Sequence, residues 1–227
     1  MKQLTLLMFA LFCACTTMLA QEDFANFKRY AEDNVRVKAE PQSARRVVFM
    51  GNSITDNWAA MHPQFFKDNG FVGRGIGGQT SYQMLLRFTQ DVIDLKPAAV
   101  VINCGTNDIA LNNHPYVEDR TFENIEAMVT LAKAHKIAVI LTSVLPAEGF
   151  SWRPEVTDAP DKIEKLNARI KEYARKKHCQ YVDYYSALVY GEGRQLNPQL
   201  RKDIAHPNSE GYDVMEPLVL QAIKKAL

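Results

Sequence analysis

Four apolar runs, none broken by a charged residue, limit most strongly what this chain can fold into. Val47-Val48-Phe49-Met50, Ala98-Ala99-Val100-Val101-Ile102, Ile137-Ala138-Val139-Ile140-Leu141 and Tyr181-Val182 are continuous rather than alternating, as strands covered on both faces should be. Phe71-Val72-Gly73 is a shorter fifth candidate. Between the runs lie helical spacings: Leu85, Phe88, Val92 and Leu95; Ile125, Met128 and Ala132; Ile163, Leu166, Ile170 and Ala174. Strand alternating with helix implies a parallel sheet with helices on both faces. Phe24, Phe27, Ala31 and Val35 predict a leading helix. Ser209 is the expected N-cap of a closing helix through Leu220, Ile223 and Leu227, kinked at Pro217. No repeat or Gly/Ser linker divides the chain, so residues 21–227 are expected to form a single three-layer α/β/α domain with a five-stranded parallel sheet. In such a sheet, chemistry gathers beyond the carboxyl ends of the strands.

The first twenty residues read differently. A positive start at Lys2, an uncharged apolar stretch from Leu4 to Leu19, and Ala20 before Gln21-Glu22-Asp23 predict a signal peptide cut after Ala20. The stretch is short for a hydrocarbon core of ~30 Å, which argues against a transmembrane anchor. A lipid-modified Cys15 is the competing reading, although Phe12-Cys13-Ala14 fits an acceptor motif poorly. The expected location is therefore periplasmic or extracellular, without stable membrane insertion. Cleavage would remove Lys2 and no acidic residue, leaving 26 basic and 26 acidic side chains. A formally neutral domain has no field to gather nucleic acid. Cys104 and Cys179 would remain, each at the edge of an apolar run, and are expected to be free thiols.

Four segments near the expected strand ends carry chemistry. Gly51-Asn52-Ser53-Ile54-Thr55 follows the first strand. A serine on such a turn is either a helix N-cap or an exposed nucleophile whose own N–H faces an attacked carbonyl. Gly73-Arg74-Gly75-Ile76-Gly77-Gly78-Gln79-Thr80 follows the second, and its glycines let backbone approach a ligand before a helix capped near Thr80. Gly73, Gly75 and Gly78 match the dinucleotide fingerprint in letters only, because the match follows the wrong strand and lacks the acidic residue. Gly105-Thr106-Asn107-Asp108 follows the third strand, where an asparagine can aim an uncharged donor at a developing oxyanion or simply close a turn. Asp203-Ile204-Ala205-His206 lies near the C-terminus. An aspartate three residues before a histidine can hold one ring nitrogen while the other takes a proton.

In this order and placement, the four segments resemble the SGNH hydrolases, also called GDSL esterases and lipases. The resemblance implies a flavodoxin-like fold across residues 46–227, a nucleophile at Ser53, and Asp203 and His206 completing a triad. It also implies an oxyanion hole formed by the Ser53 N–H, the Gly78 N–H and the Asn107 side chain. Asn52 departs from the family's aspartate before the serine. The family's exported carbohydrate O-acetylesterases and platelet-activating-factor acetylhydrolase relatives both suggest short acyl esters. The substrate expected is a small-molecule or glycan ester. A lipase, lysophospholipase or thioesterase of longer acyl specificity is the alternative. A noncatalytic glycan-binding module is disfavoured by the intact Ser53, Asp203 and His206.

In the loop after the fourth strand, Trp152 offers a face for a sugar and Arg153 a partner for a carboxylate, although a tryptophan packed under its own loop is commoner. His62 and His114 fall in loops, His114 close enough after Asn107 to border the mouth. No His/Cys/Asp/Glu group has metal-ligand spacing along the sequence, so neither metal nor cofactor is expected.

Overall fold

The computed structural model describes residues 23–41, 46–192 and 194–227. The expected signal peptide at 1–20, with Cys13 and Cys15, lies outside them. Five parallel strands, β1 (Val47–Gly51), β2 (Phe71–Gly75), β3 (Ala99–Ile102), β4 (Ala138–Thr142) and β5 (Gln180–Val182), form one sheet in the order β2-β1-β3-β4-β5. The order reverses between β1 and β3. There the connections leave in opposite directions and open a crevice at the carboxyl edge.

The strands alternate their burial between two cores. Val48, Met50, Val100, Ile102, Val139 and Leu141 face one of them. It is covered by α1 (Ala31–Ala39), α4 (Ser81–Asp91), α6 (Glu118–Ala134) and α7 (Ala159–Lys176). Val47, Phe49, Ala99, Val101 and Ile140 face the other. That side is covered by α2 (Ser53–Met61), α3 (Pro63–Asn69), α8 (Tyr184–Leu188) and α9 (Ser209–Ala226). In β1, β3 and β4 both faces are buried, and this is why their sequence shows no alternation. A short helix, α5 (Thr106–Ile109), follows β3. Pro217 lies inside α9 without ending it.

Three expectations need correction. The second strand runs on through Gly75, pairing Phe49 with Gly73 and Gly51 with Gly75, so only Ile76–Gln79 remain for the glycine-rich turn. The leading segment is a 3-10 turn (Phe27–Tyr30) followed by α1, and it turns a different face inward. Phe24 and Val35 are 45% and 66% exposed, while Asn34 and Val37 are buried. Asn34 is drawn in by two partners, donating to Asp91 at 2.6 Å and accepting from Arg74 Nε at 2.9 Å. The N-cap of α9 is Asn208, whose Oδ1 accepts from the Gly211 N–H at 2.9 Å. Ser209 is the first helical residue, and its hydroxyl pairs with His62 Nε2 at 2.9 Å.

Candidate active site

Ser53 opens α2 immediately beyond β1. Asn52 caps that helix by accepting from the Ile54 N–H at 3.0 Å, which leaves the Ser53 side chain free to face outward. An amide at position 52 keeps the acceptor that a carboxylate would offer there. Its Nδ2 is buried with no partner among the described residues.

The turn after β2 is fixed from beneath. Gly75 passes so close to α2 that a Cβ would sit 2.1 Å from the Asp56 nitrogen. Gly78 adopts φ of +76°, a left-handed backbone that strains any residue bearing a Cβ. Thr80 then caps α4, its N–H donating to Gln83 Oε1 at 3.1 Å. Arg87 of α4, fully buried, joins the two strand ends. Its Nη2 donates to the carbonyls of Gly51 and Arg74, each at 3.0 Å, its Nε to Gln79 Oε1 at 2.6 Å, and its Nη1 to Asp91 at 2.9 Å. Thus one guanidinium holds the turn bearing Ser53 and the turn bearing Gly78 in fixed relation.

Asn107 sits in α5, buried, and its amide is fixed at both ends. Nδ2 donates to the Gln79 carbonyl at 2.9 Å, and Oδ1 accepts from Asn112 Nδ2 at 3.1 Å. A primary amide nitrogen carries a second N–H beyond the one given to Gln79. Asp108 beside it is fully buried and accepts from the Ser81 N–H (2.9 Å), Ser81 Oγ (2.5 Å) and Thr121 Oγ1 (3.2 Å). Burial raises its pKa, and these donors only partly oppose the rise. Asp108 thereby ties the start of α4 to α5. His114 Nε2 lies 3.6 Å from Asp108, too far for a hydrogen bond, and its ring packs on Tyr82 at 4.4 Å.

The loop before α9 brings the remaining residues to Ser53. Ser53 Oγ and His206 Nε2 are 2.8 Å apart, and His206 Nδ1 is 2.9 Å from both carboxylate oxygens of Asp203. Asp203 Oδ1 also accepts from the backbone N–H groups of Ala205 and His206, each at 2.9 Å. Burial pushes the Asp203 carboxyl up. The Ala205 N–H, the His206 ring and the His206 N–H outweigh this and hold its pKa below the ordinary carboxylate value.

Trp152 stands at the same mouth, 38% exposed, with its ring centroid 6.0 Å from that of His206. Arg153 has Glu155 as its acidic neighbour at 4.0 Å, and its Nε is buried without a hydrogen-bond partner among the described residues. Arg87 and Asn112 belong to no recognisable motif in the sequence. Arg87 lies one turn from Met84 and Asp91 on the buried face of α4, which was the available signal. Asn112 gave none.

Away from this cleft, His62, Asp213 and Glu216 place ligand atoms within 4.8 Å of one another, a grouping that sequence spacing did not show. Both His62 nitrogens are engaged, Nδ1 by Glu216 at 2.7 Å and Nε2 by Ser209. Cys104 and Cys179 are free thiols. Among the described residues, no helix is long and apolar enough to cross a membrane.

A doubly wound sheet with serine, histidine and carboxylate in line at its carboxyl edge defines a carboxylic ester hydrolase of the SGNH type. The chain belongs to the GDSL-like lipase/acylhydrolase family, whose model matches residues 49–214. It is 59% identical to a GDSL-like lipase from Bacteroides thetaiotaomicron VPI-5482, the match covering 90% of this chain and all of that one with a TM-score of 0.87. The acetylxylan esterase Axe2 from Geobacillus stearothermophilus shares the fold at 21% identity, with 80% and 95% of the two chains covered and a TM-score of 0.64. Over 78 residues the chain is 40% identical to the uncharacterized lipoprotein YqeF of Bacillus subtilis (strain 168), a match spanning 33% of this chain and 32% of that relative.

Proposed function

We propose that this enzyme is an exported serine esterase that removes short acyl groups, chiefly acetyl, from carbohydrates through an acyl-enzyme on Ser53. The observation carrying this reading is the unbroken line from Ser53 Oγ through the His206 ring to Asp203, at 2.8 and 2.9 Å. In this reading Ser53 Oγ attacks the ester carbonyl while its proton passes to His206 Nε2. Asp203 holds Nδ1–H and favours the imidazolium that forms. The Ser53 and Gly78 N–H groups and the second N–H of Asn107 receive the negative charge on the carbonyl oxygen. His206 then gives its proton to the departing alcohol, and water repeats the sequence in reverse to release the acid.

The exposed Trp152 face beside His206 supports a sugar on the alcohol side of the ester. So does a shared fold with an acetylxylan esterase. Arg153, next to Trp152 in the same loop, is the candidate partner for a carboxylate on the substrate. Export rests on the signal-like residues 1–20, and similarity to a lipoprotein agrees with it. Initial rates on p-nitrophenyl acetate, butyrate and octanoate, followed by acetate release from acetylated glycans, test the substrate class. Acetate esters should be preferred, and a preference for octanoate would move the enzyme among the lipases. Mass spectrometry of exported protein should find Gln21 at its N-terminus, whereas a lipid-modified Cys15 would place it on a membrane.

A further inference from the structure

One side chain joins three parts of the mouth that the sequence holds far apart. Asn112 Nδ2 donates to the Gly78 carbonyl at 3.2 Å and to Asn107 Oδ1 at 3.1 Å, while its Oδ1 accepts from Trp152 Nε1 at 3.1 Å. Its backbone N–H donates to the Asn107 carbonyl at 2.9 Å. The residues on either side, Leu111 and Asn113, both take left-handed φ values, +56° and +68°. A leucine seldom occupies that region, and surrounding structure must hold it there. Asn113 supplies part of that hold by donating to Gln83 Oε1 at 3.0 Å, the same atom that accepts from Thr80 at the start of α4. The loop is thus bent so that one amide faces the backbone turn of Gly78, the amide of Asn107 and the edge of Trp152 together.

We infer that Asn112 is the positioning residue of the oxyanion hole and the link between that hole and the ring on which the alcohol part of the substrate lies. The inference rests on the roles proposed above for Ser53, Gly78 and Asn107. By fixing the Gly78 carbonyl, Asn112 fixes the turn whose N–H faces the reaction. By engaging Asn107 Oδ1, it sets which way that amide points. The indole N–H of Trp152 is spent on Asn112, so the ring has only its apolar face to offer. Such a face suits the C–H face of a pyranose and gives a flexible aliphatic alcohol less to rest on. A sugar seated on Trp152 also steadies Asn112, so part of its binding energy is expressed in kcat rather than KM.

The test compares wild type, Asn112→Ala, Asn112→Asp, Trp152→Phe and the Asn112→Ala/Trp152→Phe double variant on p-nitrophenyl acetate and on an acetylated methyl xyloside. Thermal unfolding and Ser53 acylation are followed in the same samples. Asn112→Ala should lower kcat about tenfold with KM little changed, the effect of misplacing one or two oxyanion donors modestly. Trp152→Phe keeps a ring but loses the N–H, and should lower kcat on the xyloside more than on p-nitrophenyl acetate. The double variant should be no worse than Asn112→Ala alone, because both changes break one connection. Asn112→Asp is nearly isosteric and keeps the acceptor for Trp152. It sets a carboxylate oxygen against Gly78 O and Asn107 Oδ1, so it should lose at least as much kcat as Asn112→Ala. Wild-type kcat in both Asn112 variants, losses that multiply in the double variant, or a change confined to KM would overturn the inference while leaving Ser53 acylation intact. Absence of Ser53 acylation in the wild type would overturn the underlying reading together with it.

Discussion

The Tyr212 hydroxyl donates to the Ile54 carbonyl at 2.8 Å, joining residues 158 positions apart. Ile54 follows Ser53 at the start of α2, and Tyr212 lies one turn into α9, the helix that the His206 loop enters. Tyr212 also stacks on Trp58 at 5.4 Å, within an aromatic cluster that includes Phe49 and Phe65. The serine and the histidine are therefore carried by two helices fastened to each other below the cleft. Tyr212→Phe keeps the stack and removes one buried hydrogen bond. It should lower unfolding free energy by about 1 kcal/mol in a denaturant titration, with only a small fall in kcat.

Arg87 has the larger structural role. Removing it leaves the Asp91 carboxylate buried without its cation, and the Gly51 and Arg74 carbonyls and Gln79 Oε1 without that donor. Arg87→Ala should destabilise the fold by about 3–5 kcal/mol, the range for breaking a buried ion pair from one side. Replacing both partners, as in Arg87→Met with Asp91→Leu, should recover part of that loss. If Arg87→Ala unfolds at the wild-type denaturant midpoint, the network does not stabilise the sheet edge as described.

In the proposed reaction Asn107→Ala removes a donor to the charge that develops on the substrate. The loss should fall on kcat by roughly 10²–10³ with KM little changed. The same change frees the Gln79 carbonyl and Asn112 Nδ2, so some stability goes too, and circular dichroism separates a folded slow enzyme from an unfolded one. Asn107→Asp should be slower still, since a carboxylate there opposes the developing charge.

The pH profile follows from Asp203. Its folded pKa is depressed, so its contribution to stability is complete above the ordinary carboxylate range and is lost as pH falls through the folded value. While the fold persists, Asp203 therefore stays ionised over the acid limb of activity. Over that range kcat/KM measured on folded enzyme should show no break from Asp203, and circular dichroism on the same samples separates any loss of fold. His206→Ala should cost far more activity than Asp203→Asn, because the second change leaves the ring in place.

The parts of this fold that the sequence displays are those where burial is uniform. β1, β3 and β4 are covered on both faces, so each reads as a continuous apolar run. β2 hides Gly73, Arg74 and Gly75 inside the ladder, where glycine and a buried arginine look like a turn. Arg74 is kept there by Asn34 and Asp33 on α1, contacts made 40 and 41 residues away. Asp203 and His206 could be paired from spacing because the contact is local. Their approach to Ser53 spans 153 residues and depends on α9 packing against α2. Arg87 shares the buried face of α4, but its role shows only once its acceptors are in place, and Asn112 has meaning only after Gly78, Asn107 and Trp152 have met. The glycine-serine turn left two readings for Ser53, cap or nucleophile. The cap belongs to Asn52.

In the proposed reaction acyl transfer passes through Ser53 Oγ. The most direct measurement is peptide mass mapping of protein quenched in acid during turnover of p-nitrophenyl acetate. One acetyl group should be found on the peptide containing Ser53 and be absent from Ser53→Ala. An acetyl group on another residue during turnover, or undiminished turnover in Ser53→Ala, would rule this route out.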